Sequence, residues 1–473
     1  MLRAGIAAAA AAVIGVGVAV EALVQEKPRS VSLVVTGGIV VTMDPARRVV
    51  APGAVAIEGG AIVAVGEPAS IKAEFLAQDT IDAAGSVVLP GLINTHTHAP
   101  MVMYRGLADD LALMEWLQKY IFPAEAKTVT APFVRTGTRL AALEMIQSGT
   151  TLYTDMYYFE DEIARATKEA GLRGVLGQSV IGFPSPDAKT PADALARAER
   201  FLKEFASDEL IVPAVAAHSM YTLDAASLKA SRALADKYGK PTLIHLAETR
   251  DEVAISETRH KMRPAEYLES LGFWGPRVLA AHGVWLTKPE IDILKKRGVG
   301  VSHNPESNMK LSSGTAPVLE LRAAGVPVGL GTDGAASNND LDMFEAMRQA
   351  ALLHKLTSGD PSAIAAPVAL EMGTIAGARA LGLADRLGSL EAGKRADLIV
   401  VSMSSPRQTP MYDPVSHLVY VTRGDDVKTT IVNGRVLMRD RKVLTLNEAA
   451  VLDEARRAAE EVRKAVDGHP YSR

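Results

Sequence analysis

The chain reads Val87-Val-Leu-Pro-Gly-Leu-Ile-Asn-Thr-His96-Thr-His98 near its start. Much later it reads Leu243-Ile-His245-Leu-Ala-Glu248, Ala281-His282-Gly and Gly331-Thr-Asp333-Gly. In each, a short apolar run delivers a His, Glu or Asp at its end, which is how a barrel of strands assembles a metal site. Three neutral imidazoles and one carboxylate (His96, His98, His245, Asp333) suit one divalent ion, zinc first, with Fe²⁺ or Mn²⁺ also open. A position left for water makes such a site catalytic rather than structural. The chain has no cysteine. Thiolate sites and disulfides are therefore excluded, and the ligands must be His, Asp or Glu. The chemistry implied is metal-dependent hydrolysis.

These residues need a scaffold. A length of 473 residues with 48% hydrophobic and 22% charged suits one large domain plus a smaller one with a substantial core. A net charge of −4 and the lack of a basic stripe exclude a nucleic-acid partner. From 27 to 88, and again from 391 to 446, β-like runs alternate with turn glycines, and Asn433-Gly434 is a hairpin signal. The two ends are expected to form one discontinuous β-sandwich. An amphipathic helix closes the chain over 447–473.

Between them, residues 89–390 hold eight strand candidates spaced by helical pattern. They are Val87–Asn94, Thr150–Asp155, Arg173–Leu176, Val212–Ala217, Pro241–His245, Val278–His282, Gly298–Ser302 and Val326–Gly331. This predicts an α/β fold, a TIM (β/α)8 barrel, over the alternative of an open doubly wound sheet. Six of ten histidines (His96, His98, His218, His245, His282, His303) fall at or just after strand ends. A barrel gathers those ends on one face, whereas an open sheet spreads them along an edge.

Met1-Leu-Arg3 followed by an apolar run over residues 4–20 predicts a signal peptide or N-terminal membrane anchor within residues 1–26. The expectation is an exported, periplasmic or membrane-tethered protein, or a cytoplasmic one if that run is not a signal.

At the level of motifs the chain resembles the amidohydrolase superfamily. Within it, it resembles the branch of S-adenosylhomocysteine/5′-methylthioadenosine deaminases and triazine-type hydrolases. The matching stretches run Pro90 to Met101, Arg105-Gly-Leu-Ala-Asp-Asp-Leu, His245-Leu-Ala-Glu248-Thr, Ser302-His-Asn-Pro-Glu-Ser-Asn308-Met-Lys-Leu and Gly331-Thr-Asp333-Gly-Ala-Ala-Ser-Asn-Asn. Leu390-Glu-Ala-Gly-Lys-Arg-Ala-Asp397-Leu-Ile-Val completes them. The resemblance implies a TIM barrel with a composite β-sandwich, one bound metal and, often, a homo-oligomer. Branches with two metals bridge them with a carbamylated lysine on the fourth barrel strand. Here that strand, Val212-Pro-Ala-Val-Ala-Ala-His218, has none, so one metal is expected.

Roles follow from the resemblance. The metal makes its water acidic enough for hydroxide to attack the ring carbon. Asp333 ligates the metal and accepts the water's proton, while Glu248 protonates the neighbouring ring nitrogen and ammonia leaves. His282 orients the nucleophile. Trp116 packs on the ligand, Glu125 takes ribose hydroxyls and His218 contacts the nucleoside. Gln178 stands after strand three, where relatives often present an arginine. It cannot pair with a carboxylate as arginine would, which weakens the case for S-adenosylhomocysteine more than for 5′-methylthioadenosine or adenosine. Asn304, Ser307 and Asn308 read as loop-shaping residues and His303 as structural. The expected partner is a small heteroaromatic substrate, and the expected reaction is hydrolytic deamination of an adenine nucleoside. The alternatives are another leaving group on an s-triazine-type ring or an amide or urea bond. A non-catalytic barrel is disfavoured by the complete constellation.

Overall fold

The computed structural model describes residues 28–466. β-Branched runs broken by glycine turns form β1 (Arg29–Val41), β2 (Val49–Glu58), β3 (Ala61–Gly66), β4 (Phe75–Asp82) and β5 (Ser86–Pro90). The next eight strands are β6 (Leu92–Thr97), β7 (Thr150–Tyr157), β8 (Arg173–Val180), β9 (Ile211–Ala217), β10 (Thr242–Leu246), β11 (Val278–His282), β12 (Gly300–His303) and β13 (Val328–Leu330). β14 (Leu398–Ser402), β15 (Val427–Val432), β16 (Arg435–Arg439) and β17 (Lys442–Val443) come last.

Strands from both ends make one nine-stranded sheet in the order β17-β16-β15-β14-β5-β1-β2-β3, with β4 beside β1. β5 is the join, parallel to β1 and antiparallel to β14. The sheet doubles back on itself: the Ala396 N–H donates to Gly60 O at 2.9 Å. Leu33, Ile57, Val88, Leu398 and Ile431 then share one apolar cluster.

The run expected as a single strand, Val87–Asn94, is divided between the two sheets. β5 ends at Pro90 and β6 begins at Leu92. A Cβ on Gly91 would lie 2.1 Å from Thr151 Oγ1, so glycine alone lets the chain cross there.

β6 to β13 follow one another as neighbours in a parallel sheet. β13 comes back to β6 at the same end that carries the histidines. Thr95 Oγ1 donates to Leu330 O at 2.9 Å, and Asn94 Nδ2 donates to Thr332 Oγ1 at 2.7 Å. The Asp333 N–H donates to His96 O at 2.9 Å. These bonds close a barrel rather than leave an open sheet. Helices cover its outside, so every residue of β7 and β8 is buried. Local signals set the helix ends. Thr130 caps Ala131–Ser148, and Gly149, at φ 88°, stops that helix one residue before β7.

Barrel and sheet are pinned together at the start of β8. Arg173 Nε donates to Asp397 Oδ2 at 2.6 Å, and Arg173 Nη2 donates to Asn433 Oδ1 at 2.8 Å.

One expectation is corrected. Export or anchoring through residues 4–20 finds no support: that stretch lies outside the described residues. Among the described residues, no helix is long and apolar enough to cross a membrane.

Candidate active site

Strand periodicity puts His96 and His98, two residues apart at the end of β6, on one side of the chain. His98 Nδ1 lies 2.7 Å from Met156 O, and His245 Nδ1 lies 2.7 Å from His218 O. A carbonyl accepts only, so both Nδ1 atoms carry the proton and both Nε2 lone pairs face the barrel axis. Asp333 follows β13 with φ 63°. Its Oδ1 is 3.3 Å from Nε2 of both His96 and His98. Its Oδ2 accepts from Ser307 Oγ at 2.6 Å and Ser337 Oγ at 2.9 Å. The two hydroxyls thus fix which oxygen points at the imidazoles.

This donor set fits a divalent cation. His96 Nε2 is buried without a hydrogen-bond partner among the described residues, an uncommon condition for a buried polar atom. The ligand atoms of His96, His98 and His245 lie within 4.8 Å of one another, as do those of His96, His282 and Asp333. Burial pulls His96 down to about 4, which keeps it neutral. Burial opposes the Asp333 charge, but the facing His96 and His98 hold its carboxyl well below the usual range. His98 is the exception. Burial works against its charge, yet Asp333 and Asp155 push it up to about 9, a proton that metal binding displaces.

Glu248 lies three residues past His245, beyond the end of β10, 4% exposed, and burial pushes its carboxyl upward. Its Oε2 is 3.8 Å from His282 Nε2. His282 ends β11 in a left-handed conformation, φ 73°. Its Nδ1 is 2.9 Å from Asn308 Oδ1 and 3.3 Å from Asn304 Nδ2. The shorter contact makes Nδ1 the protonated nitrogen and leaves Nε2 as an acceptor toward the cavity.

That cavity lies over the C-terminal strand ends, bordered by His98, His218, Glu248, His282 and Asp333. One wall comes from the long excursion after β6. There Leu113–Trp116, a wider π-helical turn Leu117–Ile121 and Phe122–Thr128 run on from one another. Trp116 and Glu125 both line the cavity and are both buried. Glu125 Oε1 accepts from Tyr157 OH at 2.6 Å, and burial pushes its carboxyl up to about 7. His218 Nδ1 is held by Ser219 Oγ at 3.2 Å and Thr222 Oγ1 at 3.1 Å.

Residues 87–437 match the Amidohydrolase family. The chain belongs to that family. It is 47% identical over 431 residues to a 5-methylthioadenosine/S-adenosylhomocysteine deaminase of Syntrophobacter fumaroxidans, covering 91% of this chain and 98% of the relative. It is 48% identical over 432 residues to a 5′-deoxyadenosine deaminase of Methanosarcina barkeri, with the same two coverages of 91% and 98%. Among solved structures, an adenosine deaminase from Xanthomonas campestris with bound zinc matches with a TM-score of 0.91 at 39% identity. That match covers 93% of this chain and 100% of the other.

In this amidohydrolase the barrel brings together His96, His98, His245, His282, Glu248 and Asp333, and sets His218, Trp116 and Glu125 around the same cavity. Gln178 is a correction. It does not line the cavity; its neighbour Ser179 does. Alternation along β8 turns Gln178 to the opposite face. There Nε2 donates to Asp187 Oδ2 at 2.9 Å, and Oε1 accepts from Arg197 Nε at 3.2 Å. Asn304 and Asn308 do more than shape a loop, since both contact His282. Ser307 and Ser337 both donate to Asp333, a role that neither the loop pattern around Ser307 nor the motif containing Ser337 announces. His303 is turned to His354, with Nε2 atoms 3.1 Å apart. Glu252 has no motif of its own; its one signal in the sequence is a second acid four residues after Glu248, in the first turn of a helix.

Proposed function

We propose that this amidohydrolase is a metal-dependent deaminase of adenine nucleosides, with 5′-deoxyadenosine, 5′-methylthioadenosine, adenosine and S-adenosylhomocysteine as the candidate substrates. The observation that carries this reading is Glu248. A buried carboxyl with a raised affinity for its proton faces the same cavity as a three-histidine, one-aspartate cluster. Such a group serves a heterocycle whose ring nitrogen must gain a proton as its neighbouring carbon is attacked. The relatives' names support nucleoside deamination over triazine or amide hydrolysis.

His96, His98, His245 and Asp333 would hold one divalent ion, which we take to be zinc. When bound, it supplies the Lewis acidity that makes water a nucleophile at neutral pH. Asp333, kept ionised, accepts the proton from the attacking water. His282 Nε2 accepts a hydrogen bond from that water and fixes its approach. Glu248 donates its proton to the ring nitrogen and so quenches the charge that develops there. As the C–N bond breaks, the proton held by Asp333 passes to the amino group, which leaves as ammonia, and the second O–H proton returns to Glu248 as the carbonyl forms. Trp116 packs on the base or sugar, Glu125 accepts from ribose hydroxyls and His218 contacts the nucleoside.

The test is ammonia release from those four nucleosides and from amino- and chloro-triazines, for the wild type and Glu248→Gln. The expected result is release from nucleosides only, with kcat lowered about 10²–10⁴-fold in the variant and its metal content unchanged. Full activity of Glu248→Gln, or release from triazines alone, would remove the proposal.

A further inference from the structure

Glu248 is presented by a turn, not by a strand. β10 stops at Leu246 and the next helix starts at Arg250. Ala247 between them is left-handed at φ 47°, a conformation a non-glycine residue adopts only when neighbours hold it. The N–H groups of Ala247 and Glu248 are left over from the strand and would be unpaired in a buried place.

One side chain takes both. Glu252 Oε1 accepts from the Ala247 N–H at 2.9 Å, and Glu252 Oε2 accepts from the Glu248 N–H at 2.9 Å. Thr249 caps the helix through a 3.2 Å bond from the Glu252 N–H to its Oγ1. In an ordinary capping box the acid would return to the cap residue's own N–H. Here it reaches further back, onto the residue that carries the proton donor. The carbonyls of the turn are tied from the other side. The Gly283 N–H donates to Leu246 O and the Trp285 N–H donates to Ala247 O, both at 2.9 Å. Gly283 directly follows His282. The loop bearing His282 and the turn bearing Glu248 are thus one hydrogen-bonded unit. Among the described residues, Glu252 is the one side chain that clamps the N–H groups of the turn, and it is itself 2% exposed.

We propose that Glu252 is the positioning residue for Glu248. By holding both N–H groups of the turn, it sets the angle at which the Glu248 carboxyl meets the substrate ring. This inference rests on the reading of Glu248 as proton donor. A carboxylate is required because two N–H donors need two acceptor oxygens. The glutamine amide offers one and turns an NH₂ against the other N–H. The turn must then shift, and a displacement of about 1 Å costs on the order of 10²-fold in rate.

The experiment compares Glu252→Gln, Glu248→Gln and the double variant in the zinc-loaded protein, with adenosine, 5′-methylthioadenosine and 5′-deoxyadenosine as substrates. The expected result for Glu252→Gln is kcat lowered about 10–100-fold, KM within about threefold and zinc content unchanged. In the Glu248→Gln background the second substitution should cost nothing more, because the two residues act as a unit. An equal loss in both backgrounds would mean a general structural defect and overturn the proposal. Wild-type kcat in Glu252→Gln beside an inactive Glu248→Gln would overturn it alone. A fully active Glu248→Gln would overturn the deaminase reading and this inference together. If Glu252→Gln does not fold, Thr249→Ala serves instead, since it loosens the same clamp and keeps the carboxylate. A fall in kcat of about 3–10-fold at constant KM supports the proposal, and unchanged kcat overturns it.

Discussion

Replacing Ser307 by Ala should weaken metal binding although Ser307 touches no metal. Its hydroxyl donates to Asp333 Oδ2 at 2.6 Å, and Ser337 donates to the same oxygen at 2.9 Å. Together they turn Oδ1 toward His96 and His98. A hydrogen bond to a charged group contributes about 1.5–3 kcal/mol. At about 1.4 kcal/mol per tenfold, the loss would be about 10- to 100-fold in affinity, the range found when a partner of a metal ligand is removed. Ser337 remains, so the single variant should lie near tenfold, and Ser307→Ala/Ser337→Ala should reach further. Ser307 is fully buried and does not line the cavity, so the change leaves substrate contacts intact. The assay is zinc competition against a calibrated chelator, with KM for adenosine measured at saturating zinc. Zinc affinity within about twofold of wild type in the double variant would refute the reasoning, because Asp333 would then need no orientation or would not be a ligand.

Stripping zinc with a chelator should abolish ammonia release, and one equivalent of zinc per chain should restore it; release from metal-free protein would exclude the proposed chemistry. Glu125 is expected to bind ribose as a carboxylate. Burial raises its pKa to about 7, so the carboxyl gains a proton and loses acceptor capacity as the pH falls through that value. KM for adenosine should therefore rise at lower pH, and Glu125→Gln should have a raised KM without that dependence; a flat wild-type KM between pH 5 and 8 would count against the clamp. Asp397→Ala leaves Arg173, whose side chain is 5% exposed, without its ion-pair partner. Breaking a buried pair from one side costs about 3–5 kcal/mol, to be read as a lower midpoint in urea; a midpoint like wild type would show that sheet and barrel do not depend on this joint.

The residues that could do chemistry were legible in the sequence because the relevant signals are local. A short apolar run ending in His, Asp or Glu marks a buried strand that opens onto a face, and eight apolar runs with helical spacers, most of them ending this way, allow few folds. The chemistry of His96, His98, His245 and Asp333 follows from the donor atoms that each side chain carries. The hairpin at Asn433-Gly434 was readable for the same reason, since the turn needs those residue types.

What was not legible depends on positions set by distant chain. Val87–Asn94 looks like one strand, because its apolar pattern does not mark where one sheet hands over to another. Thr151, sixty residues later, decides that at Gly91. Gln178 and Ser179 differ by one step along β8, and only the closed barrel determines which of the two faces the cavity. Nothing near Asp333 announces that Ser307 selects its free oxygen. Nothing near His282 announces that Asn308 sets its tautomer. Residue order thus specifies the kinds of atoms available and the strands that carry them. Orientation comes from the closed barrel: which nitrogen holds the proton, which oxygen is spent on a hydroxyl and which side chain faces the cavity. Hydrogen bonds act over about 3 Å, and only the folded barrel brings these partners that close.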